Sequence, residues 1–364
     1  MSPLSPPANS PPLGLPPSNQ TVDVKVIDST ARIRVPMTAF VKDQIPGHEF
    51  LECPSYTFLV EHISGQKVLF DLGVRKDING FPPVVLNVIK NNIGMTVEND
   101  IATILENEGT IKVKDINAII WSHWHMDHSG DPSTFPSTTS LVVGPGFKEN
   151  MLPGYPINPM GRILESDYQG RELCEIDFES RKLQIGRFRA FDYFGDGSFY
   201  LLDSPGHTVG HMCALARTTP STFIFMGGDA CHHCGSLRPT EYIPLPNEIS
   251  PSPFSIPRYA PNSTCPGTLL EEIHPHRSRV TPFYTGLAPA PDRNVEEAEK
   301  SLNKMADFDA SEDVFVAIAH DSSLLDIIDF FPKKVNDWKE KGWKEASRWR
   351  FLEDFHKAVP SSTL

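Results

Sequence analysis

Three histidines and an aspartate fall within six consecutive residues, directly after an apolar stretch. The run is His123-Trp124-His125-Met126-Asp127-His128, and the apolar stretch before it spans residues 116–121. Such an arrangement predicts a buried strand that delivers side chains into a loop at its C-terminal end. Imidazole and carboxylate groups together suit zinc and neighbouring divalent metals. On an extended backbone His123, His125 and Asp127 share one face, and a turn can bring His128 to a second position, so one loop can supply two metal ions.

Three further residues of ligand type occur later in the chain, each next to an expected strand end. His207 lies in the segment Asp203-Ser204-Pro205-Gly206-His207, Asp229 ends the apolar run 223–229, and His320 follows the apolar run 314–319. Strand ends are where a sandwich or an open sheet forms its site. A surface loop that happens to be rich in histidine does not account for these distant partners.

The combination HxHxDH, a later Pro-Gly-His, a later Gly-Asp and a final His resembles the metallo-β-lactamase superfamily of hydrolases. The resemblance extends over roughly residues 22–325 and implies an α/β fold, the metallo-β-lactamase-like αβ/βα four-layer sandwich. It also implies three ligands for each of two metal ions and one residue that bridges them: His123, His125 and His207 for the first ion, Asp127, His128 and His320 for the second, and Asp229 between the two.

The resemblance implies two divalent metal ions as cofactors, with zinc as the first expectation and manganese and iron also compatible. A bound metal lowers the pKa of its water, so that a bridging hydroxide is available as the nucleophile near neutral pH. The pattern is most similar to N-acyl homoserine lactonases and to fungal γ-lactamases that act on benzoxazolinones. We therefore expect a dinuclear metal-dependent hydrolase that opens a small cyclic amide, carbamate or ester, as in xenobiotic detoxification.

One residue departs from the lactonase pattern. Bacterial lactonases carry a tyrosine three residues after the bridging aspartate, where this chain has His232. An imidazole can donate to a developing oxyanion, so we expect His232 to be catalytic, with a packing role as the alternative. Asp127 is the second catalytic candidate, because its carboxylate can carry a proton to the leaving group. His211 and Asp321 are candidates for orienting the metal-binding histidines.

An acyl thioesterase of the same superfamily is the alternative function. Such enzymes usually follow HxHxDH with Gly-Gly, whereas Ser129-Gly130 follows it here, and no cationic patch for a glutathione-type substrate is evident. The segment Cys231-His232-His233-Cys234 suggests a separate zinc site. No second CxxC pair exists to complete it, so we expect this segment to line the pocket after Asp229.

Composition restricts the class of partner. The 364 residues include 33 basic and 46 acidic ones, giving a net charge of −13, which argues against a nucleic-acid partner. Neither an apolar run long enough for a membrane span nor a signal-peptide pattern is present. The six cysteines show no disulfide pattern, so we expect a cytoplasmic protein. The oligomeric state is left open, and the expected partner is the small cyclic substrate.

The chain is expected to consist of one hydrolase domain, residues 21–364, behind a disordered proline-rich tail, residues 1–20. Two loop insertions are expected at about 145–180 and 238–295, and the proline-rich part 244–266 is expected to form no regular sheet. The first insertion should cover the active site and contact the substrate through an apolar set: Phe147, Met151, Leu152, Tyr155, Ile157 and Met160.

Overall fold

The computed structural model describes residues 6–180, 182–254 and 264–359. Its strands are β1 (Val22–Asp28), β2 (Arg32–Pro36), β3 (Phe50–Cys53), β4 (Tyr56–His62), β5 (Lys67–Phe70), β6 (Gly94–Thr96), β7 (Ala118–Ile120), β8 (Ser140–Val143), β9 (Leu173–Glu175), β10 (Leu183–Ile185), β11 (Phe188–Asp192), β12 (Phe199–Asp203), β13 (Met212–Arg217), β14 (Phe223–Met226), β15 (Glu248–Ile249), β16 (Cys265–Pro266) and β17 (Val314–Ala317).

The helices are α1 (Pro83–Asn92), α2 (Ile101–Glu108), α3 (Met126–Ser129), α4 (Phe147–Met151), α5 (Glu165–Tyr168), α6 (Gly267–Ile273), α7 (Val295–Ala310) and α8 (Trp343–Ser347). Short 3-10 helices occupy Met37–Ala39, Ile78–Gly80, Val113–Asp115, Pro132–Thr134, Cys234–Ser236, Ser322–Leu324 and Arg350–Ala358. No helix in the described ranges is both long and apolar enough to cross a membrane.

Two six-stranded sheets form the body of the protein. The first has the order β1-β4-β5-β7-β8-β9, antiparallel from β1 to β5 and parallel from β5 to β9. The second has the order β10-β11-β12-β13-β14-β17 and is antiparallel except for the parallel pair β14–β17. Parallel neighbours require long crossovers, and α1 and α2 lie in the crossover between β5 and β7.

Alternation along the central strands distributes apolar side chains to both faces of each sheet. In β8, Val142 lies in the core between the sheets, whereas Leu141 lies in the outer core with Leu105 of α2. In the second sheet Phe225 packs outward on Phe308 of α7, with ring centroids 4.8 Å apart. The layers therefore run helix, sheet, sheet, helix, which confirms the expected four-layer sandwich.

The two expected insertions contain regular structure. Residues 145–180 hold α4, α5 and β9, and β9 pairs in parallel with β8 at the edge of the first sheet. The expectation that 244–266 contains no sheet was wrong at its ends, where β15 pairs with β16. Pro266 is tolerated because it lies at the end of this two-residue ladder. Residues 255–263 lie outside the described part.

Both ends of the described chain pack on the sandwich. Residues 6–20 form no regular element, but the Ala8 N–H donates to the Glu241 carbonyl at 2.9 Å and Leu13 is buried. Residues 1–5 lie outside the described part. At the other end, α8 and the 3-10 helix Arg350–Ala358 dock as two short helices, with Trp343 in the core between the sheets and Phe355 in the outer core.

Candidate metal centre

The HxHxDH run starts at the end of β7, a buried strand between β5 and β8. His123 and His125 lie in the loop after the strand, and α3 begins at Met126, so that Asp127 and His128 occupy its first turn. The extended alternation that the sequence suggested therefore stops at His125. Helix geometry, rather than strand alternation, places the side chains of Asp127 and His128 near one another in the site.

The remaining three residues come from the second sheet. His207 lies in the connection between β12 and β13, and Asp229 and His320 follow β14 and β17. Because β14 and β17 are parallel neighbours, their C-terminal ends lie at the same edge and place Asp229 beside His320. The structure thus brings all seven residues of the predicted ligand set together.

The carboxylate of Asp229 divides the histidines into two groups. Its Oδ1 lies 3.0 Å from Nε2 of His128 and 3.0 Å from Nε2 of His320. Its Oδ2 lies 3.3 Å from Nε2 of His207 and 3.5 Å from Nε2 of His123. All five side chains are buried. One oxygen facing each group is the arrangement expected of a carboxylate that bridges two cations.

The donor atoms form two clusters whose members lie within 4.8 Å of one another: His123, His125, His207 and Asp229 in the first, and Asp127, His128 and His320 in the second. In the first, Nδ1 of His125 lies 3.0 Å from Nε2 of His207. In the second, Oδ2 of Asp127 lies 3.5 Å from Nε2 of His320. Nitrogen and carboxylate donors in such sets are those that zinc and related divalent ions bind.

Hydrogen bonds fix the tautomers of two of these rings. Nδ1 of His128 bonds to Oδ2 of Asp71 at 2.8 Å, and Nδ1 of His320 donates to the Pro54 carbonyl at 2.8 Å. Each neutral ring therefore carries its proton on Nδ1 and directs the lone pair of Nε2 at Oδ1 of Asp229. Two lone pairs and a carboxylate oxygen repel one another unless a positive charge, a proton or a metal ion, lies between them.

Buried polar atoms without a hydrogen-bond partner also indicate that a positive charge belongs in the site. His123 Nε2, His128 Nε2 and Asp229 Oδ1 are buried without a hydrogen-bond partner in the described residues. An unsatisfied buried polar atom carries a substantial free-energy penalty, so three together in one site require an explanation. A divalent cation in each cluster would satisfy them, and the residues present therefore fit a dinuclear centre.

The histidine pKa values are lowered in the first cluster, whereas that of His128 in the second cluster is raised. Burial lowers the pKa of His125 to about 4 and also lowers those of His123 and His207, so these rings are neutral and able to bind a metal. Burial also acts downward on His128, but Asp229, Asp71 and Asp127 outweigh it and raise its pKa to about 10. Carboxylate charge thus concentrates around His128, and a metal ion can neutralise it in place of a proton.

Asp71 is a functional residue that the sequence analysis did not identify. It follows β5, and its Oδ1 accepts from the Ser122 N–H at 2.6 Å while Oδ2 accepts from the Ser122 hydroxyl at 2.8 Å. Its φ of 64° lies in the left-handed region, which aspartate tolerates better than most residues. Its position directly after the apolar run of β5 was the feature of the sequence from which Asp71 could have been identified.

Of the two candidate orienting residues, only His211 contacts a predicted metal ligand. Its Nε2 accepts from the Asp229 N–H at 3.0 Å, and its Nδ1 lies 2.9 Å from the Ser204 carbonyl. Asp321 instead begins the 3-10 helix Ser322–Leu324, where Oδ1 accepts from the Ser323 N–H. His211 therefore helps to fix the backbone of Asp229, and Asp321 caps the 3-10 helix that follows His320.

His232 lies in the centre, as the sequence analysis expected. Its Nε2 is 3.2 Å from Oδ2 of Asp229, and its ring stacks on Phe40 with centroids 4.2 Å apart. Burial lowers the pKa of His232, so the ring is neutral and retains one N–H that can act as a hydrogen-bond donor. Cys231 and Cys234 are buried and free, and no cluster of metal-donor type in the described residues includes them.

A third group, His48, His233 and Asp354, lies outside the centre. Nδ1 of His233 accepts from the Gly235 N–H at 3.0 Å, so the neutral ring carries its proton on Nε2, 3.2 Å from Oδ2 of Asp354. Nδ1 of His48 lies 2.6 Å from the Tyr284 hydroxyl. These hydrogen bonds occupy both ring nitrogens of His233 and one of His48, and the bond to Asp354 attaches the C-terminal 3-10 helix to the core.

A cavity of about 320 Å³ opens beside the metal centre. Trp124, Met151, Arg162 and Asp292 contribute to its wall, and the ring of Trp124 lies 4.6 Å from that of His125. This volume suits a small ring compound. Arg162 and Asp292, which both line this cavity, form an ion pair.

The apolar set that the sequence analysis expected to contact the substrate is divided between the outer core, the cavity wall and the exposed surface. Phe147 is buried and packs edge-on against Trp121, because the apolar face of α4 is directed to the outer core. Met151 and Met160 line the cavity, whereas Ile157 is 66% exposed and does not. Apolar composition predicted the segment but not the direction of each side chain.

Comparison with known proteins agrees with this geometry. The family described as the metallo-beta-lactamase superfamily matches residues 51–217. The chain is 46% identical over 356 residues to the gamma-lactamase FDB1 of Fusarium pseudograminearum (strain CS3096), covering 95% of this chain and 85% of that protein. It is 46% identical over 363 residues to the metallo-hydrolase mfmC of Annulohypoxylon moriforme, covering 98% and 93%.

A solved structure of an N-acyl homoserine lactone hydrolase, with the product N-hexanoyl-L-homoserine bound at its catalytic metal center, has a similar fold. The TM-score is 0.57, with 86% of this chain and 99% of that chain covered. The sequences are 18% identical, so this likeness concerns the fold alone.

Proposed function

The chain belongs to the metallo-β-lactamase superfamily, and on that basis we propose that it is a dinuclear metal-dependent hydrolase that opens a small cyclic amide, carbamate or ester. The observation that carries the proposal is the position of Asp229, whose two carboxylate oxygens face two separate groups of histidines. The similarity to a protein named as a gamma-lactamase over most of both chains supports a ring amide as the substrate class.

The residues that would hold the ions are the two clusters that Asp229 joins. When bound, two divalent ions, with zinc as our first proposal, supply a hydroxide nucleophile near neutral pH and polarise the substrate carbonyl. The single hydrolase domain over residues 21–364 and the cytoplasmic location remain part of this proposal. All six cysteines are free, as a reducing compartment would require.

Four side chains around the two ions have distinct roles in the proposed ring opening. His232 donates from its imidazole N–H to the carbonyl oxygen as negative charge develops there. Asp127 is partly exposed, at 16%, and its Oδ2 faces His128 and His320. Its carboxylate accepts the proton released from the attacking water and passes it to the ring nitrogen or oxygen as the ring C–N or C–O bond breaks. His211 and Asp71 hold Asp229 and His128 in place.

An activity screen tests the proposal. Metal-loaded protein is incubated with a homoserine lactone, a simple γ-lactam, a benzoxazolinone and an acyl thioester, with metal-stripped protein as the control. We expect metal-dependent opening of at least one ring substrate at a higher kcat/KM than thioester cleavage. Preferential thioester cleavage would replace the proposal with the thioesterase alternative, and no turnover of any ring would reject it.

A further inference from the structure

Arg293 places a positive charge at the edge of the metal centre without belonging to either donor cluster. Its Nη1 donates to the carbonyls of Ala288 at 2.7 Å and Ala39 at 3.2 Å. Ala39 directly precedes Phe40, which stacks on His232. The next residue, Asn294, donates its backbone N–H to the Gly206 carbonyl in the loop that carries His207. The guanidinium is thus fixed beside the His232 side of the centre.

The guanidinium has hydrogen-bonding capacity to spare. Within the ranges that the structure describes, Nε and Nη2 of Arg293 make no hydrogen bond, and no carboxylate lies within 4.0 Å of it. Asp229 attracts it at longer range, whereas burial acts against its charge and lowers its pKa. A half-buried arginine is ordinarily paired, because a planar guanidinium forms strong forked hydrogen bonds with carboxylates. This one lacks such a partner in a protein whose net charge is −13.

The proposed reaction creates the anion that would complete the pair. Water adds to the carbonyl carbon of a neutral ring, the ring C–N or C–O bond breaks, and the ring heteroatom takes one of the two protons of water. The second proton is released to solvent, and the carbonyl carbon then carries two oxygens as an ionised carboxylate, or as a carbamate when the C–O bond of a cyclic carbamate is broken. The charge is absent from the substrate and present in the product, and Arg293 is held on the His232 side of the centre in which it forms.

We propose that Arg293 binds the carboxylate group that ring opening generates, through Nε and Nη2, the guanidinium nitrogens that are not bonded to the two backbone carbonyls. This inference rests on the proposed function. It assigns the ring-opened acid, and other small carboxylates, to the His232 side of the centre. Its consequence is that Arg293 determines product affinity more than affinity for the neutral ring.

A binding experiment separates this role from a structural one. Binding of benzoate and of its neutral analogue benzamide is measured by calorimetry on metal-loaded protein, Arg293→Gln and Arg293→Lys. Arg34→Gln, which removes an exposed arginine paired with Glu52, is the matched control. We expect Arg293→Gln to weaken benzoate binding about tenfold and benzamide binding less than twofold. Arg293→Lys should be intermediate, because it keeps the charge and loses the fork.

Equal weakening for both probes would show that Arg293 only supports the Ala39–Phe40 segment, and unchanged benzoate binding would overturn the proposal. Failure of benzoate to bind the unaltered protein would overturn it as well. In turnover assays the ring-opened product should inhibit Arg293→Gln less than the unaltered enzyme. If no ring is opened but the benzoate difference is found, the proposed function fails and the anion site stands. If rings are opened without that difference, only the role of Arg293 fails.

Discussion

The carboxylate of Asp71 accepts a hydrogen bond from Nδ1 of His128 at 2.8 Å, although the two residues are 57 positions apart in the chain. This bond fixes the tautomer of His128, so that Nε2 faces Asp229. Ser122 donates to both oxygens of Asp71 and prevents its carboxylate from turning away. A carboxylate behind a metal-binding imidazole orients the ring and makes it a stronger ligand.

We expect Asp71→Asn to weaken metal binding at the His128 cluster by about 10- to 100-fold, while the His123 cluster keeps its ion. Asparagine tolerates the positive φ of this position, so the backbone should be retained. Competition with a chelator followed by metal analysis measures the effect. Asp196→Asn is the matched control, because it breaks another carboxylate–imidazole pair, with His62, away from the centre. Equal metal retention in both variants would contradict the orienting role.

Metal content tests the bridging role of Asp229. Protein purified without chelator should contain close to two equivalents of metal per chain. Asp229→Ala should lose affinity for both ions and abolish turnover, since its oxygens face both clusters. His123→Ala should lower occupancy mainly of one. A variant Asp229→Ala that keeps two ions and a near-native rate would refute the bridge.

The identity of the leaving group tests Asp127. Amide and carbamate nitrogens leave poorly without a proton, whereas a thiolate needs less assistance. With metal content matched, Asp127→Asn should slow lactam or carbamate opening about 10²-fold more than thioester cleavage. The amide retains an oxygen for the metal but cannot transfer the proton. Equal losses on both substrates would assign Asp127 to metal binding alone.

The meeting of the seven candidate ligands in one site could be predicted because each is a chemically distinctive residue close to an apolar run. Buried strands such as β7 and β14 are recognisable from such runs, and the order of His123, His207, Asp229 and His320 along the chain carried the rest. The four-layer arrangement followed from the resemblance and is confirmed by the packing of both sheets.

Other parts of the site leave no comparable trace in the sequence. The Pro54 carbonyl that orients His320 is a backbone atom, which every residue possesses. Arg293 is one of many arginines, and only tertiary contacts place it beside His232. Phe147 was assigned to the substrate from apolar composition, but five residues of helix do not establish which face meets the core. Tertiary packing decides each of these cases.

The hydrogen-bonded group around His48 should make stability depend on pH. Burial and the nearby His233 lower the pKa of His48 to about 4, while an unfolded histidine has its ordinary value near 6.5. Between these values the unfolded chain binds more protons. Stability should therefore be complete above about pH 6.5 and fall as the pH is lowered toward 4, by up to about 3 kcal/mol from this group.

Urea unfolding at about pH 5 and about pH 7.5 measures this dependence. His48→Asn should reduce the difference in unfolding free energy between the two conditions, even though the variant is less stable overall. His276→Asn is the control, since His276 is exposed. If His48→Asn retains the full pH difference, the dependence arises from other groups.

The ion pair between Arg162 and Asp292 joins the first insertion to the segment before α7 in the wall of the cavity. Arg162 also lies over the ring of Trp124, 5.2 Å from its centroid. The two charged side chains are 40% and 32% exposed, so the pair contributes little energy and its effect on substrate binding should be small.

We expect Arg162→Ala to raise KM for ring substrates about two- to fivefold, with kcat and metal content unchanged. Asp292→Asn should give a similar change, and the double variant should be no worse than either single one, because both remove the same contact. Ile157→Ser, on the same insertion but away from the cavity wall, is the control. Additive losses in the double variant would show that the two residues act on the substrate separately.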